Sequence, residues 1–210
     1  MMQQPNNTQG SKRRLYSAVL TAAMALGAFS GSGCVDPLKG QQIAELGDEV
    51  PGFEEMELHR PGQPCLVCHS DGGPGEPKFS FGGTLFFRPP NGDPAFLVEG
   101  YTVEILDSKG DTVQATSNAC GNFYIELDTF KPAYPVRTEV LGTNAEGKLI
   151  TNEVMTSRIA RDGSCASCHL LPANFDSPGE VYVGPIEGVE DPLPPAEGAC
   201  PPPYGRVSVQ

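Results

Sequence analysis

Beyond its first thirty residues the chain has no apolar stretch of the roughly 20 residues that a membrane-spanning helix requires. It has little room for long helices of any kind, because 21 prolines and 25 glycines are spread through 210 residues. Basic residues are scarce: 14 Lys and Arg stand against 26 Asp and Glu, a formal charge of −12. Such a balance argues against a nucleic-acid partner and either favours partners with basic docking patches, with an association rate that falls as salt rises, or serves solubility alone. Histidine is rarer still, at three residues. Phosphate-cradling glycine loops are missing, and Gly72-Gly73 and Gly82-Gly83 read as turn and strand-entry glycines.

What is present is a doubled pentapeptide. Cys65-Leu66-Val67-Cys68-His69 recurs as Cys165-Ala166-Ser167-Cys168-His169, and no further internal duplication is evident. Cys-x-x-Cys-His is the spacing of covalent haem c attachment, in which two thiols add across vinyl groups and the next histidine ligates the iron. Cys65, Cys68, Cys165 and Cys168 are therefore candidate thioether residues, and His69 and His169 candidate axial ligands, for two haems c. Zinc is the competing chemistry, but it gathers four ligands around one ion. These two cysteine pairs are about a hundred residues apart, with strand-rich sequence between them. A redox dithiol expects one motif opening a helix in a βαβ pattern, which is not found. With two of three histidines assigned to iron, Ser/His/Asp catalysis has no residues to work with, and no catalytic residue is assigned.

Candidates for the sixth iron positions are His59, Met155 and Met56, with surface or packing roles as the alternative. The two methionines stand 9 and 10 residues before Cys65 and Cys165, and Met155 falls in a strand pattern typical of core. Histidine or methionine there closes the iron for electron transfer, and methionine raises the potential relative to histidine.

Lys12, Arg13 and Arg14 precede an apolar run from Leu15 to Phe29, the pattern of an export signal occupying residues 1–33. Loss of that segment removes three of the 14 basic residues and none of the 26 acidic ones, taking the charge from −12 to −15. Ser30-Gly31-Ser32-Gly33-Cys34 resembles the lipobox of bacterial lipoproteins, with Gly31 where leucine is usual. The resemblance implies lipidation of Cys34 and a lipid-anchored place in the periplasm or outer membrane, against ordinary cleavage nearby and a soluble exported protein. Of seven cysteines, Cys120 and Cys200 then remain. In an oxidising compartment they are a candidate disulfide, against a buried Cys120 and an unpaired Cys200.

The expected organisation is an irregular segment over 34–78 with a short helix near Gln41 to Leu46, strands over 79–158, a second motif segment over 159–183, and a mobile Pro/Gly-rich acidic tail over 184–210. In the second motif segment Leu171, Phe175, Val181 and Tyr182 are expected to pack on the second haem. Strands are expected at Phe79–Phe87, Tyr101–Leu106, Thr112–Thr116, Phe123–Leu127, Val136–Leu141 and Leu149–Thr156, with hairpin turns at 107–111 and 144–147. Tyr101, Val103 and Ile105 alternate to one face, as a half-buried antiparallel strand requires. The fold class is mainly β, a small antiparallel β-sandwich flanked by irregular haem-binding segments. Six strands of alternating direction would place both motifs at one pole.

Gly83-Thr84-Leu85-Phe86, Val98 to Gly110, and Thr116 with Gly121-Asn122-Phe123-Tyr124-Ile125 resemble the carboxypeptidase regulatory-like, transthyretin-like β-sandwich, over about Phe79 to Thr156. The chain departs from that pattern at Asn91-Gly92-Asp93-Pro94, a longer first loop. The resemblance implies a scaffold or binding surface rather than a catalyst. With its flanking motifs, the arrangement resembles bacterial multihaem c-type cytochromes that carry such a module between haem sites. The function expected is electron transfer between redox proteins of the cell envelope. A dihaem peroxidase-like enzyme and an adhesive or binding lipoprotein with accessory haems are the alternatives.

Overall fold

The structure is a computed structural model that describes residues 37–54, 56–170, 173 and 177–203. The export segment 1–33, Cys34, Leu171 and Phe175 lie outside the described residues. Residues 1–40 and 41–210 form separate units, and only the opening of helix α1 (Pro37–Glu45) is described in the first. Among the described residues no helix is long and apolar enough to cross a membrane.

Among the described residues eight strands form two sheets: β1 (Phe79–Phe87), β2 (Phe96–Leu97), β3 (Thr102–Leu106), β4 (Thr112–Thr116), β5 (Asn122–Glu126), β6 (Arg137–Thr143), β7 (Leu149–Val154) and β8 (Val181–Val183). One sheet runs β2-β1-β5 with β8 also paired to β1, and the other runs β4-β3-β6-β7. All pairings are antiparallel except β1 with β8. The protein is thus mainly β, a small sandwich with irregular flanks. The two strands not expected, β2 and β8, are two and three residues long, too short to carry a period-2 signal.

The expected alternation holds in β3, where Val103 and Ile105 join Tyr101 in the core. Opposite them sit Phe81, Leu85 and Phe87 of β1 and Phe123 and Ile125 of β5. Each such buried side chain contributes about 1.5–3 kcal/mol relative to exposure.

Every residue of β1 is buried, so both faces of this strand are covered. Its outer face carries Phe86, which packs with Leu97 and Cys120. A disulfide joins Cys120 to Cys200, 80 residues away, and holds the tail there. The tail is therefore not loose over its described length: Ile186 is buried in the core and the Tyr101 hydroxyl donates to the Gly184 carbonyl. Its proline and acid content hid two anchors, one apolar and one covalent.

A bulge between Phe79 and Phe81 decides which way the first residue of β1 faces. Phe79 pairs with Glu126 and Phe81 with Ile125, so Ser80 is the extra residue and the two phenylalanines point to opposite faces. Phe81 enters the core, and Phe79 turns outward to stack on Tyr124 at 4.5 Å.

Candidate functional site

Both pentapeptides fold into a single helical turn. The amides of His69 and His169 donate to the carbonyls of Cys65 and Cys165, at 2.9 Å in each case. Positions i, i+3 and i+4 share one face of such a turn, which gathers both thiols and the imidazole.

The histidines are then oriented alike. His69 Nδ1 lies 2.8 Å from the Pro77 carbonyl and His169 Nδ1 lies 2.9 Å from the Gly179 carbonyl. A carbonyl only accepts, so Nδ1 carries the proton and Nε2 keeps its lone pair. This backbone partner on the far nitrogen is what a metal-ligating histidine needs to fix its tautomer and ring plane. Burial also holds the His69 pKa below the usual histidine value, against the opposing pull of the Pro77 carbonyl.

The first site lies on the outer face of β1. Helix α2 (Leu66–His69) packs there, and the loop after it folds back so that Gly75 donates to the Cys68 carbonyl. Lys78 ties that loop down, donating to the carbonyls of Gly73 and Gly75 at 2.8 Å each. The His69 ring stacks flat on Phe79, 4.2 Å between centroids and 6° between planes. A Cβ on Gly75 would come within 3.0 Å of three atoms of the same ring, so only glycine lets the loop lie this close.

His59 comes to this site. Its ring lies 5.8 Å from that of His69 with 22° between planes, and its Nδ1 bonds the Met56 carbonyl. All three histidines of the chain therefore have Nδ1 committed to backbone, and two of them share one cavity. The loop bearing His59 is pinned to β5: Asn122 Nδ2 donates to the carbonyls of His59 at 2.9 Å and Glu57 at 3.3 Å. Thr84 links the set, donating to Asn122 and accepting from the Gly62 amide, each at 2.8 Å. Arg60 follows His59 at φ 51°, a left-handed conformation costing a non-glycine residue about 1–2 kcal/mol. Its guanidinium offsets this with bonds to Glu49, Gln63 and the carbonyl of Gly47. The cavity, about 330 Å³, is lined by Met56, His59, Cys65, Cys68, His69 and Phe79 among others. The Met56 side chain is 45% exposed, and its carbonyl is what orients His59.

The second site opens between the edges of the two sheets. A cavity of about 680 Å³ is walled by Val140, Val154 and Met155 on one side and by Cys165, Cys168 and His169 on the other. Both cavities fall in the range of about 300–1,000 Å³ usual for small-molecule and cofactor sites. Val154 is 58% exposed here, an apolar side chain lacking the cover that an apolar ligand would give. Two buried hydroxyls in the lining of the same cavity, Thr138 Oγ1 and Ser164 Oγ, have no hydrogen-bond partner. Ser177 organises the loop after the motif, accepting from the amides of Leu170 and Gly179.

Val181 and Tyr182 do line this second cavity, as strand β8. The shared pole expected for the motifs is replaced by a different meeting place. With eight strands rather than six, both motifs converge on the middle of β1, and Gly82-Gly83 are mid-strand rather than entry residues.

The first cysteine of each motif is a poor thiolate. Desolvation pushes the Cys65 thiol up to about 11 and that of Cys165 up to about 12, the latter helped by the nearby Cys65. A thiol held protonated is a poor redox nucleophile. Among the described residues no group of three or more His, Cys, Asp and Glu comes together to hold a metal ion.

Sequence reasoning identified the motif residues and His59 but missed Pro77, Gly179, Gly75, Phe79 and Asn122. The only signal for the first three was that a Pro-Gly pair, Pro74-Gly75 or Pro178-Gly179, follows each motif. Comparison of the chain with protein-family models, with curated proteins and with solved structures finds no match.

Proposed function

We propose that this protein is a dihaem c-type cytochrome that carries electrons between redox partners in the cell envelope, its sandwich serving as a scaffold. The observation that carries the reading is the repeated histidine geometry: two Cys-x-x-Cys-His turns, each with Nδ1 on a backbone carbonyl and Nε2 left to ligate. Haem c would supply a one-electron iron couple, tethered by Cys65 and Cys68 at one site and by Cys165 and Cys168 at the other. His69 and His169 are the proximal ligands.

The chain's own residues make the two sites unequal. His59, whose ring lies 5.8 Å from that of His69, would supply the sixth ligand of the first. No histidine is left for the second, where Met155 lines the cavity with His169 and is the available sixth ligand. Glu57, Glu76 and Glu126 line the first cavity with Arg60, which is already paired with Glu49. Arg88, Arg158 and Arg161 line the second among four acidic residues. Methionine ligation would raise the potential of an iron held there, and the three arginines make this lining less negative than that of the first cavity, so the second site would be the more easily reduced. Arg158 and Arg161, exposed along that wall, offer cations for the haem carboxylates.

The acidic surface favours basic partners and a salt-sensitive encounter. The export-like pattern of residues 1–33 and the lipobox-like sequence ending at Cys34 support a place outside the cytoplasm, with a lipid anchor. The test is a spectrum of protein produced with a c-type maturation system. Two low-spin haems with no response to carbon monoxide or peroxide are expected, and a high-spin haem that turns over peroxide would overturn the carrier reading in favour of an enzyme.

A further inference from the structure

Consecutive residues of a strand face opposite ways, and the two motifs use this at Gly82 and Gly83. A Cβ on Gly82 would lie 3.1 Å from Cys65 Cβ and 3.3 Å from its sulfur. One on Gly83 would lie 2.8 Å from Cys165 Cβ and 3.0 Å from its sulfur, and 3.0 Å from the Phe123 ring. The first cysteine of each motif thus rests on the same dipeptide, one on each face of β1. The contact is tight on the second side for another reason as well. The Gly82 amide donates to the Gly163 carbonyl at 3.1 Å, and a Cβ on Gly163 would stand 2.0 Å from the Ser80 carbonyl oxygen. Three glycines therefore let the segment before Cys165 lie flush against β1, while Cys65 closes on it from the other face.

Nothing in a free-standing strand asks for two adjacent glycines, which weaken it by entropy and by loss of packing. The close approach of two other segments does. Resting on the dihaem reading, we infer that Gly82 and Gly83 are positioning residues that seat the two haem sites back to back across one strand, making them a coupled redox pair rather than two independent centres. A charge gained at one site is then felt at the other through a single layer of backbone. The pair is asymmetric in its tolerance. Added bulk at position 83 meets Cys165 below the closest distance Cβ atoms adopt, whereas position 82 needs only a few tenths of an ångström of give.

The experiment is a redox titration of the dihaem protein with electron paramagnetic resonance of the ferric first site, repeated in the double variant Cys165→Ser/Cys168→Ser. Reduction of one site should make the other about sixfold harder to reduce, the size Coulomb's law gives for unit charges roughly 15 Å apart at an effective dielectric constant near 20. Spin relaxation of the first site should be faster in the fully oxidised protein than in the single-site variant. Gly83→Ala should weaken both effects or cost the second haem, and Gly82→Ala should do less. Two haems per chain whose midpoints and relaxation are the same with and without the second site occupied would overturn the inference. A parent protein with no covalent haem fails at the haem count, before any titration, and defeats the dihaem reading itself.

Discussion

The same pentapeptide is placed in two different settings. The first lies on the outer face of β1 under its own loop, its histidine stacked on Phe79 and faced by His59. The second lies between sheet edges in a cavity twice the size, walled by Val154 and Met155 and bordered by three arginines. The motif therefore sets what can be attached, and the sandwich sets what the attached group experiences. On the dihaem reading, a different sixth ligand and a different local charge would set the two potentials apart in one direction.

That contrast is broken most completely by exchanging ligands. His59→Ala should convert the first site alone to a five-coordinate haem that binds carbon monoxide, leaving the second low-spin. Met155→His should pull the second midpoint down towards the first. If the gap between midpoints survives Met155→His, the difference comes from charge rather than ligation.

How far these contrasts were legible in the chain depends on the kind of signal. Cysteine and histidine at fixed spacing are a local chemical pattern, readable without a fold. The alternation of Tyr101, Val103 and Ile105 is likewise local, and the sheets formed where it pointed. The carbonyls of Pro77 and Gly179 left no trace, because every residue has a carbonyl and only the folded path says which one meets a ring nitrogen. The outward turn of Phe79 rests on one extra residue in a strand whose composition reads as continuous core. Gly82 and Gly83 looked like entry glycines because the two segments that press on them are distant in sequence.

Smaller changes sharpen the comparison without abolishing either site. Cys200→Ser opens an 80-residue loop on the outer face and should lower stability by about 2–4 kcal/mol in urea unfolding, with both haems still attached. Asn122→Ala removes the donors that hold the loop of His59 and should cost about 1–3 kcal/mol. It should also raise the high-spin fraction of the first site while the spectrum of the second is unchanged. An equal effect on both sites would show that Asn122 supports the sandwich rather than His59.

The most direct measurement is a pyridine haemochrome count combined with intact mass on protein made with haem and a c-type maturation system. The account predicts two covalent haems per chain, with Cys65, Cys68, Cys165 and Cys168 closed to alkylation. A colourless chain whose four thiols all alkylate, or which binds zinc through them, would contradict it.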